Sequence, residues 1–175
     1  MRHTFQTEQW LPYPLEQVFA FFANPDNLPR LMPVWQKTKI ERAILTPAPA
    51  RPQSSASYRP ISAAGAGTTM TLTFRPFPFA PFRIAWDAEI TEFVWNDHFC
   101  DVQHRGPFAF WRHCHHVASE TRDGIMGTTV RDHVEYEMPL GVLGELGQRT
   151  AGQAQFRSIF NYRHQRTTEF LTRAI

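Results

Sequence analysis

Charge is scarce in this sequence. Charged residues make up 19% of the chain, below the usual quarter, and the formal net charge is only +2. No basic run interleaved with aromatics occurs, so nucleic acid is not expected as a partner. Cysteine is scarcer, with only Cys100 and Cys114; in a reducing cytosol two free thiols are expected rather than a disulfide. No apolar run reaches the length of a membrane span, and the N-terminus lacks the charged-then-apolar order of a signal peptide, which makes a cytoplasmic protein the expectation. The glycine-spaced connector 139–147 has no Gly-Lys-Ser/Thr and fits neither nucleotide fingerprint. Ser54, Ser55 and Ser57 lie in a loop without a glycine elbow, so a serine nucleophile is unsupported. No cofactor is expected.

Aromatic residues are plentiful. They form 14% of the chain, and Phe alone accounts for 15 residues. That much aromatic surface calls for a large apolar interior or a greasy pocket. A length of 175 residues suits a single domain, 1–175, with a substantial core.

The stretch from Phe99 to Tyr136 reads as three consecutive antiparallel strands. Asp123-Gly124 is the strongest two-residue hairpin signal in the chain. With it as the loop, Arg122 pairs with Ile125, His115 with Asp132, His113 with Val134 and Trp111 with Tyr136. A three-residue loop at Gly106-Pro107-Phe108 sets Asp101 opposite His113 and Gln103 opposite Trp111. A two-residue turn at Asn96-Asp97 extends the register upstream, with Ile90 opposite Gln103 and Glu92 opposite Asp101. Alternation then gives one inner face. It holds Asp101, Gln103, His113, His115 and Asp132, walled by Phe99, Trp111, Val117, Val130, Val134 and Tyr136. Upstream it continues through Phe82, Ile84, Trp86, Ala88 and Ile90. Cys100 and Cys114 face each other on the outer side, and His116 and His133 also point outward.

The remaining elements follow in order. Arg2 to Trp10 suits a first strand. Pro14 opens a helix through Leu15-Glu-Gln-Val-Phe-Ala-Phe-Phe22, and Asn27 to Leu31 suits a second short one. Lys37 to Leu45 and Thr68 to Phe74 read as strands, the latter with Met70, Leu72 and Phe74 on one face. Thr46 to Pro60 is a loop. From about Gln148 the chain is helical to its end, with Phe156, Ile159, Phe160, Arg163, Thr167 and Phe170 on one stripe. Strand, two short helices, six strands and a long helix describe an α+β helix-grip fold: a curved seven-stranded antiparallel sheet around a C-terminal helix.

Three segments resemble the START-like, or SRPBCC, superfamily, which takes in pollen-allergen-type proteins, lipid-transfer START domains, coenzyme Q-binding proteins and polyketide cyclases/dehydrases. They are Pro14-Leu-Glu-Gln-Val-Phe-Ala-Phe-Phe-Ala-Asn-Pro-Asp-Asn-Leu28, Gly106-Pro-Phe-Ala-Phe-Trp-Arg-His-Cys-His115 and Asp132-His-Val-Glu-Tyr-Glu-Met-Pro-Leu-Gly141. The resemblance implies a deep apolar cavity between sheet and last helix. The residues expected to meet a ligand there are Trp86, Phe99, Asp101, Gln103 and Trp111 together with His113, His115, Asp132 and Tyr136. Phe156 and Phe160 join them from the helix.

Four readings of the inward polar groups stand open: a self-satisfied network, a polar anchor for an apolar ligand, acid/base chemistry, and a metal site. In the acid/base reading His113 or His115 acts, oriented by Asp101 or Asp132. In the metal reading His113, His115 and Asp132 are the ligands; the family brings no metal, and none is expected. The expected function is binding of a hydrophobic small molecule such as a lipid, a quinone or a polyketide-like aromatic. A cyclase/dehydrase-type enzyme is the alternative. Phe77, Phe79 and Phe108, with the apolar connector 139–147, gather at one end of the meander. That end is the expected ligand entrance and the site of any weak membrane or partner contact.

Overall fold

The computed structural model describes residues 1–52, 63–139 and 152–173. Seven antiparallel strands form one sheet in the order β1-β7-β6-β5-β4-β3-β2. They are β1 (Arg2–Leu11), β2 (Lys39–Ile44), β3 (Thr69–Phe74), β4 (Ile84–Val94), β5 (His98–Arg105), β6 (Phe110–Arg122) and β7 (Ile125–Glu137). Helix α1 (Leu15–Ala23) and the short α2 (Leu28–Leu31) follow β1, and α3 (Gln153–Arg173) closes the chain. Most of the connector 139–147 lies outside the described residues.

Local chemistry sets these elements. Pro14, at φ −57°, fixes the start of α1, and Glu16 in its first turn complements the helix N-terminus. In α3 the buried positions Phe160, Arg163, Thr167 and Leu171 recur at intervals of three and four, one stripe turned to the sheet. Asp123 and Gly124 both take positive φ, 51° and 77°, as a two-residue hairpin matched to strand twist requires. β6 and β7 then pair along their whole length in the expected register, with Arg122 on Ile125, His115 on Asp132 and Trp111 on Tyr136. Asp101 faces His113 across β5 and β6, also as expected.

The β4–β5 register differs from the sequence expectation. The tight turn runs from Val94 to Asp97, closed by Asp97 N–H to Val94 O, and Asn96 takes the positive φ of 61°. The hairpin is therefore shifted by one residue, pairing Phe93 with Phe99 and Glu92 with Cys100. A bulge at Thr91 then shifts it again, so Ile90, not Glu92, meets Asp101, and Ala88, not Ile90, meets Gln103. The first shift would turn every β4 side chain over; the second restores the parity. Ile90, Ala88 and Trp86 thus face inward as expected, whereas Glu92 is exposed and binds Arg112 at 2.8 Å. Phe82, expected inward, precedes β4 and is 53% exposed.

The cysteines require a second correction. They face each other as the register demands, Cα atoms 4.1 Å apart, but are joined as a disulfide. Among the described residues no cysteine is free.

The apolar interior forms two clusters. One gathers Leu11, Val18, Phe19, Phe93, Phe99 and Leu171 beneath α1. The other gathers Trp111, Val134, Tyr136 and Phe160, with Phe108 and Phe156 packed on it. No described helix is long and apolar enough to cross a membrane.

Candidate functional site

A cavity of about 430 Å³ lies between the sheet and α3, bounded also by α1 and α2. Its wall is mostly apolar and aromatic. Its polar side chains sit on the middle of β5 and β6, on α3, on the segment entering β2, and at Asn27 just before α2.

The β5–β6 group is built by alternation. His113 and His115 share one face of β6, their rings 4.1 Å apart between centroids. Phe99 and Phe22 pack on His115, at 4.6 and 5.5 Å, while Trp111 and Phe160 pack on His113. The histidines therefore bridge the two apolar clusters. Behind them Asp132 Oδ1 lies 2.9 Å from His113 Nε2 and 2.7 Å from His115 Nδ1. The His113 contact is a hydrogen bond; the His115 contact falls off the hydrogen-bond direction. On the other side Asp101 Oδ2 is 3.7 Å from His113 Nδ1, and Asp101 Oδ1 accepts a hydrogen bond from the Trp111 indole at 3.3 Å. The sequence reading gave each histidine its own aspartate; in the structure Asp132 serves both.

The surroundings set the protonation. Burial raises the Asp101 pKa above its usual range, against the pull of His113. Burial also acts to raise that of Asp132, but the adjoining His115 and His113 overcome it and hold the carboxyl well below the ordinary value. Burial lowers the His113 pKa, aided by His115 and opposed by Asp132. A buried Asp132 carboxylate therefore faces a His113 imidazole that resists protonation.

Eight of the sequence-selected residues line the cavity: Trp86, Phe99, Asp101, Trp111, His113 and His115 on the sheet, Phe156 and Phe160 on the helix. Gln103, Asp132 and Tyr136 do not. Gln103 donates to Phe108 O at 2.7 Å and accepts from Phe108 N–H, so it locks the β5–β6 turn. Asp132 stands behind the histidines. Tyr136 is fully buried against Phe156. Phe108, grouped by sequence with the exposed phenylalanines, instead stacks on Trp111 at 4.9 Å and lines the cavity.

The sequence reading missed the opposite wall. Met70 and Leu72 of β3, Gln36, Thr38 and Arg163 also line the cavity. Gln36 Oε1 and Thr38 Oγ1 are buried there without hydrogen-bond partners among the described residues. The available signals were weak ones: a period-two apolar run in β3 and an arginine on the apolar stripe of α3.

Asp101, His113 and His115 each offer a ligand atom, all within 4.8 Å of one another, and could hold a cation. The carboxylate in that set is Asp101 rather than Asp132, whose oxygen already engages both imidazoles.

No family model matches the chain, and no curated protein matches it in sequence. Its architecture matches solved structures over nearly its whole length. Norcoclaurine synthase from Thalictrum flavum aligns with a TM-score of 0.61 at 12% identity, covering 98% of this chain and 87% of that one. The protein TTHA0849 from Thermus thermophilus aligns at 0.60 and 15% identity, covering 94% and 97%. Major latex-like protein 151 from Panax ginseng aligns at 0.62 and 9% identity, covering 97% of each. The chain has the Bet v 1-like helix-grip fold.

Proposed function

We propose that residues 1–175 form one unit that binds a hydrophobic small molecule, such as a lipid, a quinone or a polyketide-like aromatic, in the cavity beneath α3. The observation that carries this reading is the cavity itself. At about 430 Å³, largely apolar, with a few polar side chains gathered at set points, it has the size and character of a small-molecule site. Fold likeness supports a cavity and leaves the ligand open.

One observation favours a second reading, a cyclase/dehydrase-type enzyme. His113 and His115 line the cavity rather than lying sealed behind Trp111, and His113 sits between two carboxylates. A neutral imidazole so oriented can take a proton from a ligand carbon or oxygen. Norcoclaurine synthase, named as an enzyme, shares the fold.

One experiment addresses both readings. Native mass spectrometry of the purified protein, as isolated and after adding a linear polyketone, is expected to show a one-to-one complex with an apolar molecule. Recovery of the polyketone unchanged supports the binder. Recovery with water lost, abolished by His113→Asn, supports the enzyme. A protein that takes up no apolar molecule in either arm refutes the cavity reading.

In this reading ligand enters at the end carrying the segment 76–81. Pro76, Phe77, Pro107, Phe108 and Met138 all line the cavity at that end. Phe79 is 95% exposed and holds a positive φ of 68°, which turns its ring outward. Phe77 and Phe82 are half exposed and pack edge to face. Apolar residues so presented suit a weak membrane or partner contact at which ligand is handed over. Phe77→Ser with Phe79→Ser should slow ligand uptake from liposomes several-fold while leaving equilibrium binding near wild type. Uptake at the wild-type rate would place the entrance elsewhere.

A further inference from the structure

The cavity holds a positive charge that no described side chain neutralises by contact. Arg163 lies on the inward stripe of α3, is 8% exposed, and lines the cavity. Its guanidinium carbon sits 5.2 Å from the centroid of the Phe160 ring. Among the described residues it has no hydrogen-bond or ion-pair partner. Asp101 feels its charge but stands beyond ion-pair distance, and Asp132 is engaged by the two histidines. Surface arginines are treated differently: Arg112 meets Glu92, and Arg122 and Arg131 both meet Glu8, each at 2.8 Å. These three exposed guanidiniums are paired, although water would solvate them there; the buried Arg163 has an aromatic ring beside it and no acidic partner among the described residues.

A guanidinium is charged at every relevant pH and presents five N–H donors in a planar fork. Burying it without an oxygen partner is costly. The group that fits the fork best is a planar carboxylate, which accepts two parallel hydrogen bonds. A single cation also matches a single negative charge better than the double charge of a phosphate monoester. Asp101 would oppose an anion nearby, but its burial favours the protonated form and lessens the repulsion. Ile159 and Phe156, one and two turns before Arg163 on α3, continue the same stripe as apolar cavity wall.

Resting on the reading of the cavity as a ligand site, we propose that its ligand is an apolar or aromatic carboxylate whose head docks on Arg163. The ligand body then lies along Phe156, Trp111 and Trp86. Arg163 sets specificity for the charged head, and the aromatic walls supply most of the affinity.

The test is calorimetric titration of wild type, Arg163→Met and Arg163→Lys with biphenylcarboxylate and with its uncharged carboxamide. In wild type the carboxylate should bind about tenfold or more tighter than the amide, the effect of a charged hydrogen-bonded pair. In Arg163→Met that preference should fall to near unity while the amide still binds, which also reports an intact cavity. Arg163→Lys should retain part of the preference. Amide binding with no carboxylate preference in wild type, or a preference that survives in Arg163→Met, overturns the charge assignment and leaves the cavity reading standing. Binding of neither probe to wild type overturns both.

Discussion

Asp132→Ala is expected to cost about 3 kcal/mol of unfolding free energy, the upper end of the penalty for leaving a buried hydrogen-bonding group without its partner. Asp97→Ala, at an exposed turn carboxylate 3.1 Å from His98, should cost less than about 0.5 kcal/mol. The contrast follows from burial. Asp132 is 5% exposed and its Oδ1 lies against two imidazoles that are themselves buried. Removing it strands both, and neither can turn to water without opening the aromatic packing around it. Acid denaturation should carry the same signature. The folded His113 pKa lies below its ordinary 6.5, so the unfolded chain binds that proton first and stability falls as pH drops below about 6.5. The folded Asp132 pKa lies well below 3.8, so its contribution is complete above that pH and is lost below it. Asp101 acts oppositely: its raised pKa adds stability as pH falls through the folded value, a partial offset between the two losses. Urea melts from pH 7 to pH 3 should thus show a gradual decline and then a steep one. In Asp132→Ala the steep limb should shrink. Equal midpoints for Asp132→Ala and Asp97→Ala at neutral pH would mean that the aspartate–histidine cluster does not hold the sheet.

Legibility in the sequence followed turn chemistry. Asp123-Gly124 admits one hairpin geometry, so counting outward from it placed His113, His115 and Asp132 correctly on β6 and β7. The Asn96 turn was less determinate, because Asn accepts positive φ at more than one turn position. It sits one residue earlier than the dipeptide suggests, and the bulge at Thr91 has no marker in a run of Ile, Thr and Glu. The inner face of β4 was nonetheless read correctly from Ile84 to Ile90, because two one-residue shifts in the same direction add up to one full period of two. Phe108 was misplaced because Gln103, five residues earlier, folds the turn inward with its side-chain amide. Arg163 was visible only as an arginine among Phe156, Phe160 and Thr167. Strand register fixes neighbours within a sheet, whereas the rotation of a helix over that sheet depends on packing that no turn encodes. The pairing of His113 with Asp132 rather than Asp101 was hidden for a related reason: ladder counting finds residues directly opposite, and this contact is diagonal.

The cysteines separate register from redox state. Sequence placed Cys100 opposite Cys114 but, on compartment alone, left them reduced; the structure joins them. Replacing both by Ala should lower stability by about 3 kcal/mol, the chain-entropy value for a loop of this size, the bridge spanning a separation of 14 residues. For a protein of this length that corresponds to a melting temperature lower by roughly 6–12 °C. The bridge also bears on the site. β5 is laddered to β6 only from His98 to Val102, while β6 and β7 pair throughout their length. Cys100 precedes Asp101, and Cys114 lies between His113 and His115. The disulfide therefore ties the outer face of a short ladder at the point where its inner face carries the polar group. Loss of the bridge should weaken biphenylcarboxylate binding as well as stability, since the Asp101 wall then loses its covalent tie to the His113 strand and keeps only hydrogen bonds to it. Dithiothreitol should reproduce both effects in wild type and leave the double variant unchanged. A wild-type melting temperature that does not respond to reductant would show that the bridge does not form in solution, and would restore the two free thiols of a reducing cytoplasm.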